Sequence, residues 1–176
     1  MSLPGQVAGA TYPLLDHQAP GLGARKQAWW SAAKGAGASD SEAAVIVAQM
    51  MQEGRRDAAK DGAGGARNLS ELNLNQDLLA RFGGVPVGQQ DALNRTDAQG
   101  RSGAAVAALA AMRTLGLDGY LAHVRGGQTG YERPDDDVGR FARSIMTSAN
   151  SLLRDLRAEP GNLGSDRRFA ADIPGI

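Results

Sequence analysis

The sequence predicts a mainly α fold with at most a small sheet or hairpin, and three observations carry that prediction. Apolar residues recur at helical spacing in several windows, as at Ile46 and Met50 and along the Ala-rich run from 101 to 115. Start and stop signals bracket those windows: Ser39 with Glu42 three residues on, and glycine pairs near 35–37 and 126–127. Only one short stretch, 68–75, alternates apolar and polar residues as a strand would.

In chain order, residues 1–23 are rich in Gly and Pro around a Tyr12-Pro13-Leu14-Leu15 island and read as an extended N-terminal arm. Residues 24–176 read as a single folded domain. Its first helix is expected from 24 to about 34, carrying Trp29 and Trp30 and ending at the Gly35-Ala36-Gly37 break. Adjacent helical residues point about 100° apart, so the two indoles are not both expected in the core. One anchors the helix and the other, taken as Trp29, is available to stack on a ring. Core or interface packing is the commoner role for either.

Ser39 and Glu42 have capping-box spacing, and the helix they open runs through Ile46 and Met50 to Glu53, with Gly54 as a left-handed cap. Residues 55–66 are polar and Gly-rich without periodicity. The alternating stretch 68–75 suggests a short extended segment that runs into a helical turn over 76–82. A loop is expected from 83 to 100, then a buried central helix over 101–115 packed through small side chains. A short helix over 118–124 follows, ended by Arg125-Gly126-Gly127. The longest helix begins near Pro134, with three aspartates at its positive end, and runs to about 157. No internal repeat is visible.

Composition narrows the function classes. The chain has 176 residues, enough for one domain with a real core. Nineteen acidic and nineteen basic side chains cancel, so bulk electrostatics attracts neither nucleic acid nor an anionic membrane. The apolar run over 104–112 is too short to span a bilayer, and no signal peptide is evident over residues 1–10. There is no cysteine and there are two histidines, His17 and His123, so neither thiol chemistry nor a dedicated zinc site is expected, and no cofactor is implied.

The residue that stands out is Glu53. It shares a helix face with Ile46 and Met50, so its carboxylate is carried toward apolar surroundings at a helix end. Burial disfavours the charged form of a carboxyl group, which suits a general acid working near neutral pH. The alternative is that the carboxylate reaches water beside Arg55 or Arg56. Asp57 and Asp61 follow on the polar loop as candidate bases. An inverting glycosidase needs its two carboxyl groups roughly 6.5–9.5 Å apart to admit a water. The alternative for both aspartates is a solvated turn neutralised by Lys60. Asn68, Asn73 and Asn75 offer planar amides to sugar hydroxyls, although Asn75 reads better as the cap of the next helix. Arg125, in the Gly-rich segment from His123 to Tyr131, is a further candidate for substrate contact.

Several of these stretches together resemble the lysozyme-like endo-β-1,4-mannanases of glycoside hydrolase family 134. They are the helix ending Met50-Met51-Gln52-Glu53, the run from Asp57 to Gly62 and the Asn-rich 68–75. The Arg125-Gly126-Gly127-Gln128-Thr129-Gly130 turn and the closing segments Ser165–Phe169 and Asp172-Ile173-Pro174 complete the set. The resemblance implies a lysozyme-like fold and inverting cleavage of a β-1,4-linked polysaccharide, with Glu53 as acid and Asp57 as base. It also implies a secreted protein; the residues themselves give no expectation of a metal or of a nucleic-acid partner, and a monomer is expected. Gly54-Arg55-Arg56 replaces a longer segment of the family, which leaves Asp61 as the alternative base. Two other functions remain open at this point: a peptidoglycan-acting hydrolase, or a non-catalytic glycan-binding or secretion-associated protein on the same scaffold.

Overall fold

The computed structural model describes residues 22–53, 68–95 and 97–158. Residues 1–21 of the N-terminal arm, both candidate bases and the C-terminal tail lie outside the described residues, while 22 and 23, expected in the arm, open the first helix. Helix α1 (Leu22–Gly35) is followed by α2 (Asp40–Glu53), the strands β1 (Asn68–Leu69) and β2 (Leu74–Asn75), and helix α3 (Gln76–Arg81). A 3-10 helix (Val87–Asn94), α4 (Ala98–Glu132) and α5 (Asp136–Ala158) complete the order. The fold is mainly α with one two-stranded hairpin, as the periodicity and the single alternating stretch require.

The α2 cap forms as its spacing dictates. Glu42 N–H donates to Ser39 Oγ at 3.2 Å, and Ser39 N–H donates to Glu42 Oε2 at 2.8 Å. From that cap α2 runs through the middle of the molecule, buried from Ala43 to Met51. It packs on α1 and α5, and α4 packs against α1 and α5 in turn. Burial on so many sides explains why α2 is apolar almost all round rather than along one stripe.

Trp29 and Trp30 are 1% and 0% exposed, which corrects the expectation that only one would be core. Helix α1 lies against both α2 and α4, so two of its faces, about 100° apart, are covered. Trp29 Nε1 donates to Glu71 on the hairpin turn.

Helix α4 begins earlier than expected, at Ala98, because Asp97 caps it through a 2.9 Å bond from Gly100 N–H. Its helical run is interrupted at Gly116 (φ 74°, ψ 163°) and Gly127 (φ 62°, ψ −155°). These are backbone conformations that side chains with a Cβ avoid. The first two segments correspond to the expected long and short helices and Gly127 to the expected break; the third, over 128–132, is helical where a glycine-rich turn was expected. The stretch 83–100, expected as loop, holds the 3-10 helix, with Gln90 buried and donating to the carbonyls of Gln76 and Val85. Among the described residues, no helix is long and apolar enough to cross a membrane.

Candidate functional site

The hairpin is antiparallel, Asn68 opposite Asn75 and Leu69 opposite Leu74. Two residues make its tight turn possible: Ser70 (φ 64°) and Asn73 (φ 56°) both adopt the left-handed conformation. Asn tolerates that region better than most residues, and the serine is held in it. Ser70 Oγ accepts from Leu72 N–H at 3.0 Å, and Ser70 N–H donates to Asn94 Oδ1 at 3.0 Å.

The turn is fastened to α2 from below. Gln49 Nε2 donates to Leu72 O at 2.6 Å, and Gln49 Oε1 accepts from the Tyr120 hydroxyl at 2.7 Å. Both side chains are fully buried. Burial raises the Tyr120 hydroxyl above the ordinary tyrosine range, against the opposing effect of its bond to Gln49. It therefore stays a neutral donor. A buried amide with both ends paired fixes the register between hairpin and helix.

One turn beyond Gln49, Glu53 closes α2. It is 3% exposed, and its Oε2 accepts from Asn73 Nδ2 at 2.8 Å. Two residues singled out from sequence for separate reasons thus meet across twenty positions of chain. Arg125 lies within electrostatic reach of the same carboxylate. Its guanidinium is held strongly protonated, first by the paired bond to Asp137 (2.7 and 3.2 Å) and then by the charges of Asp137, Glu53 and Asp135. It also sits 5.7 Å from the Phe141 ring centroid.

Asn75 takes the capping role. Its Oδ1 accepts from Leu78 N–H at 2.8 Å, while its Nδ2 donates to His123 O at 2.9 Å and faces His123 Nδ1 at 3.2 Å. Because that amide nitrogen is a donor, Nδ1 must be the acceptor, which leaves the ring proton on Nε2, 3.3 Å from Asp77 Oδ2. The imidazole is fully buried, edge-on to Phe82 and tilted against Tyr131. Asn75 and His123 therefore join hairpin, α3 and α4 behind the Glu53 cluster.

The remaining expected residues separate. Trp29 has no ring face open for stacking, since it is enclosed by the core, and this corrects its assignment as a substrate contact. Asn68 contributes its backbone to the hairpin, and its side chain lies outside the described residues, as do Asp57 and Asp61.

Gln49, Tyr120 and Asp137 were missed from sequence. The available signal was Gln49 itself, an uncharged polar residue at i+3 on the Ile46, Met50 and Glu53 face. A cavity of ≈ 250 Å³ opens between Val45, Met112, Met146 and Leu153 toward the other end of α2 and shares no lining residue with the Glu53 cluster. Among the described residues, no group of three or more His, Asp or Glu side chains is placed to hold a metal ion.

The arrangement offers one shielded carboxyl group with an amide donor on it and a guanidinium nearby. Such a set can deliver a proton to an ether oxygen and hydrogen-bond the hydroxyls beside it. No protein-family model matches the chain, nor does any curated protein or solved structure.

Proposed function

We propose that the protein is a secreted, monomeric polysaccharide hydrolase of lysozyme-like fold, similar to the endo-β-1,4-mannanases of glycoside hydrolase family 134. The observation that carries this reading is the position of Glu53: the last residue of α2, nearly inaccessible, with Asn73 of the hairpin turn donating to its carboxyl group. A carboxyl group at a helix end, shielded from bulk water and oriented by an amide donor, is placed as a general acid for a glycosidic oxygen would be.

In the proposed reaction Glu53 protonates the leaving oxygen of a β-1,4-linked, mannan-type chain. Asp57 deprotonates a water that attacks the opposite face of the sugar, inverting the anomeric centre; Asp61 is the alternative base. Asn73 orients the acid, and Arg125 contacts substrate hydroxyls. The mechanism requires no metal.

The test is release of reducing ends from β-mannan, chitosan and peptidoglycan by wild type and Glu53→Gln, with the anomer formed first read by proton NMR. Cleavage of mannan that the substitution abolishes supports the reading. Cleavage of peptidoglycan alone reassigns the substrate, and cleavage unaffected by Glu53→Gln removes the acid.

A further inference from the structure

Charge on this neutral chain is not spread evenly. Helix α5 buries Phe141, Ile145, Ala149 and Leu152 at i, i+4, i+8 and i+11. Its solvent face carries Arg140, Arg143, Thr147, Asn150, Arg154 and Arg157, all exposed and spaced by three or four residues. They form a stripe about 25 Å long on one side of a straight helix. Beyond Asp137, the only carboxylate on α5 is Asp155, which is buried. Arg140 makes one long contact, 3.9 Å, with Asp137. Among the described residues, Arg143 and Arg157 have no carboxylate partner. One stripe residue, Asn150, also lines the cavity beside Glu42 and Val45 at the capped end of α2.

From this placement we infer that the outer face of α5 is a docking surface for a carboxylate-bearing polysaccharide. Guanidinium groups pair with carboxylates in a planar, two-bond geometry that lysine cannot reproduce, and every charge on the stripe is an arginine. Between the two arginine pairs stand a hydroxyl and an amide, Thr147 and Asn150, suited to sugar hydroxyls. Single-stranded nucleic acid fits less well, because the face carries no aromatic ring on which bases stack. A membrane surface fits less well too, because no large apolar residue stands among the arginines to enter the lipid. The zero net charge of the whole chain also withholds the long-range attraction that duplex binding relies on. A linear polymer followed along one line needs only the local charge.

The inference stands apart from the proposed hydrolysis. Bound by α5, the protein would be held on an acidic wall polymer whatever Glu53 does. The test measures retention of wild type, Arg143→Glu/Arg157→Glu and Glu53→Gln on polygalacturonate and on purified peptidoglycan at low salt. Neutral mannan, duplex and single-stranded DNA, and vesicles containing anionic lipid are compared at equal charge concentration.

Expected are binding of wild type and Glu53→Gln to one or both acidic glycans, and loss of that binding as salt is raised. The double reversal should weaken binding about tenfold or more, in line with the loss of fully engaged charge pairs, while its circular dichroism stays as in wild type. Which of the two glycans binds identifies the source of the carboxylates. Absence of binding to both, equal binding by the reversal variant, or tighter binding to DNA or vesicles overturns the inference.

Discussion

The two ends of α2 each carry a glutamate, and the two are treated in opposite ways. Glu42 stands in the first turn, where the helix dipole favours an anion, and three bonds to its carboxylate reinforce its charge. It accepts from Ser39 N–H at 2.8 Å and from Arg113 at 3.0 and 3.1 Å, and its own N–H donates to Ser39 Oγ at 3.2 Å. The Arg113 bond, followed by the Ser39 contacts, holds its carboxyl down at about 2, against the opposing effect of burial. Glu53 stands in the last turn, at the carbonyl end of the helix, more deeply buried, with an uncharged amide on its carboxyl group. One end pairs its carboxylate with an arginine at the surface; the other encloses its carboxyl group beneath the hairpin turn. On the proposed reading, the hairpin end carries the chemistry and the capped end the scaffold.

Exchanging the same atoms at both ends is the hardest test of that contrast. Glu53→Gln is expected to lower polysaccharide cleavage by about 10²–10⁴-fold, the usual contribution of a general acid, with a thermal midpoint close to wild type. Glu42→Gln should do the reverse, costing stability and leaving turnover per folded molecule unchanged. Kinetics and thermal melts on the two variants decide it. Equal effects of both substitutions on either property would erase the distinction.

How much of this was legible in the sequence follows the same division. The capped end was readable residue by residue, because a capping box is local and its partners lie three positions apart. The glycine breaks in α4 were readable for the same reason. At the hairpin end the residue types were visible, Glu53, Asn73, Asn75 and Arg125 among them, but their pairing was not. The Asn73–Glu53 bond and the Gln49–Leu72 bond close loops of twenty or more residues, and no periodicity encodes that. Trp29 was misjudged because its surroundings depend on α4, about seventy positions away. The start of α4 was placed late because Gly100 and Gly103 lower helix propensity where the Asp97 cap and tertiary packing restore it.

The next largest effect is expected from the polar core beneath the hairpin. Gln49→Leu would leave the Leu72 carbonyl and the Tyr120 hydroxyl buried without their partner, a cost of about 2–4 kcal/mol. Urea unfolding measures it. Adding Tyr120→Phe to the Gln49 variant should recover part of the loss, because one stranded hydroxyl is then removed. If Gln49→Leu is neutral, the hairpin end is not held by this amide and the comparison loses its rigid side. A somewhat smaller loss is expected for Gly127→Ala. The backbone there, at φ 62° and ψ −155°, is one that essentially only glycine adopts, so the substitution should cost about 1–3 kcal/mol. It should also disturb Arg125, two residues away, which a rise in KM larger than any fall in kcat would reveal.

The smallest effect is the most specific to the capped end. Glu42 has a folded-state value of about 2 against an ordinary value of 4.5, so its contribution is complete above pH 4.5. It disappears as the pH falls from 4.5 toward 2, because the unfolded chain takes up the proton first. Glutamine at this position keeps the capping bond to Ser39 N–H but loses the ionic pairing with Arg113. Exposure of the pair to water screens that pairing, so its contribution is small. The stability gap between wild type and Glu42→Gln should therefore be widest near neutrality and close progressively below pH 4.5, in chemical denaturation curves taken at each pH. A gap independent of pH would mean that Arg113 holds the glutamate by shape rather than by charge. The helix would then have no electrostatic anchor at its capped end.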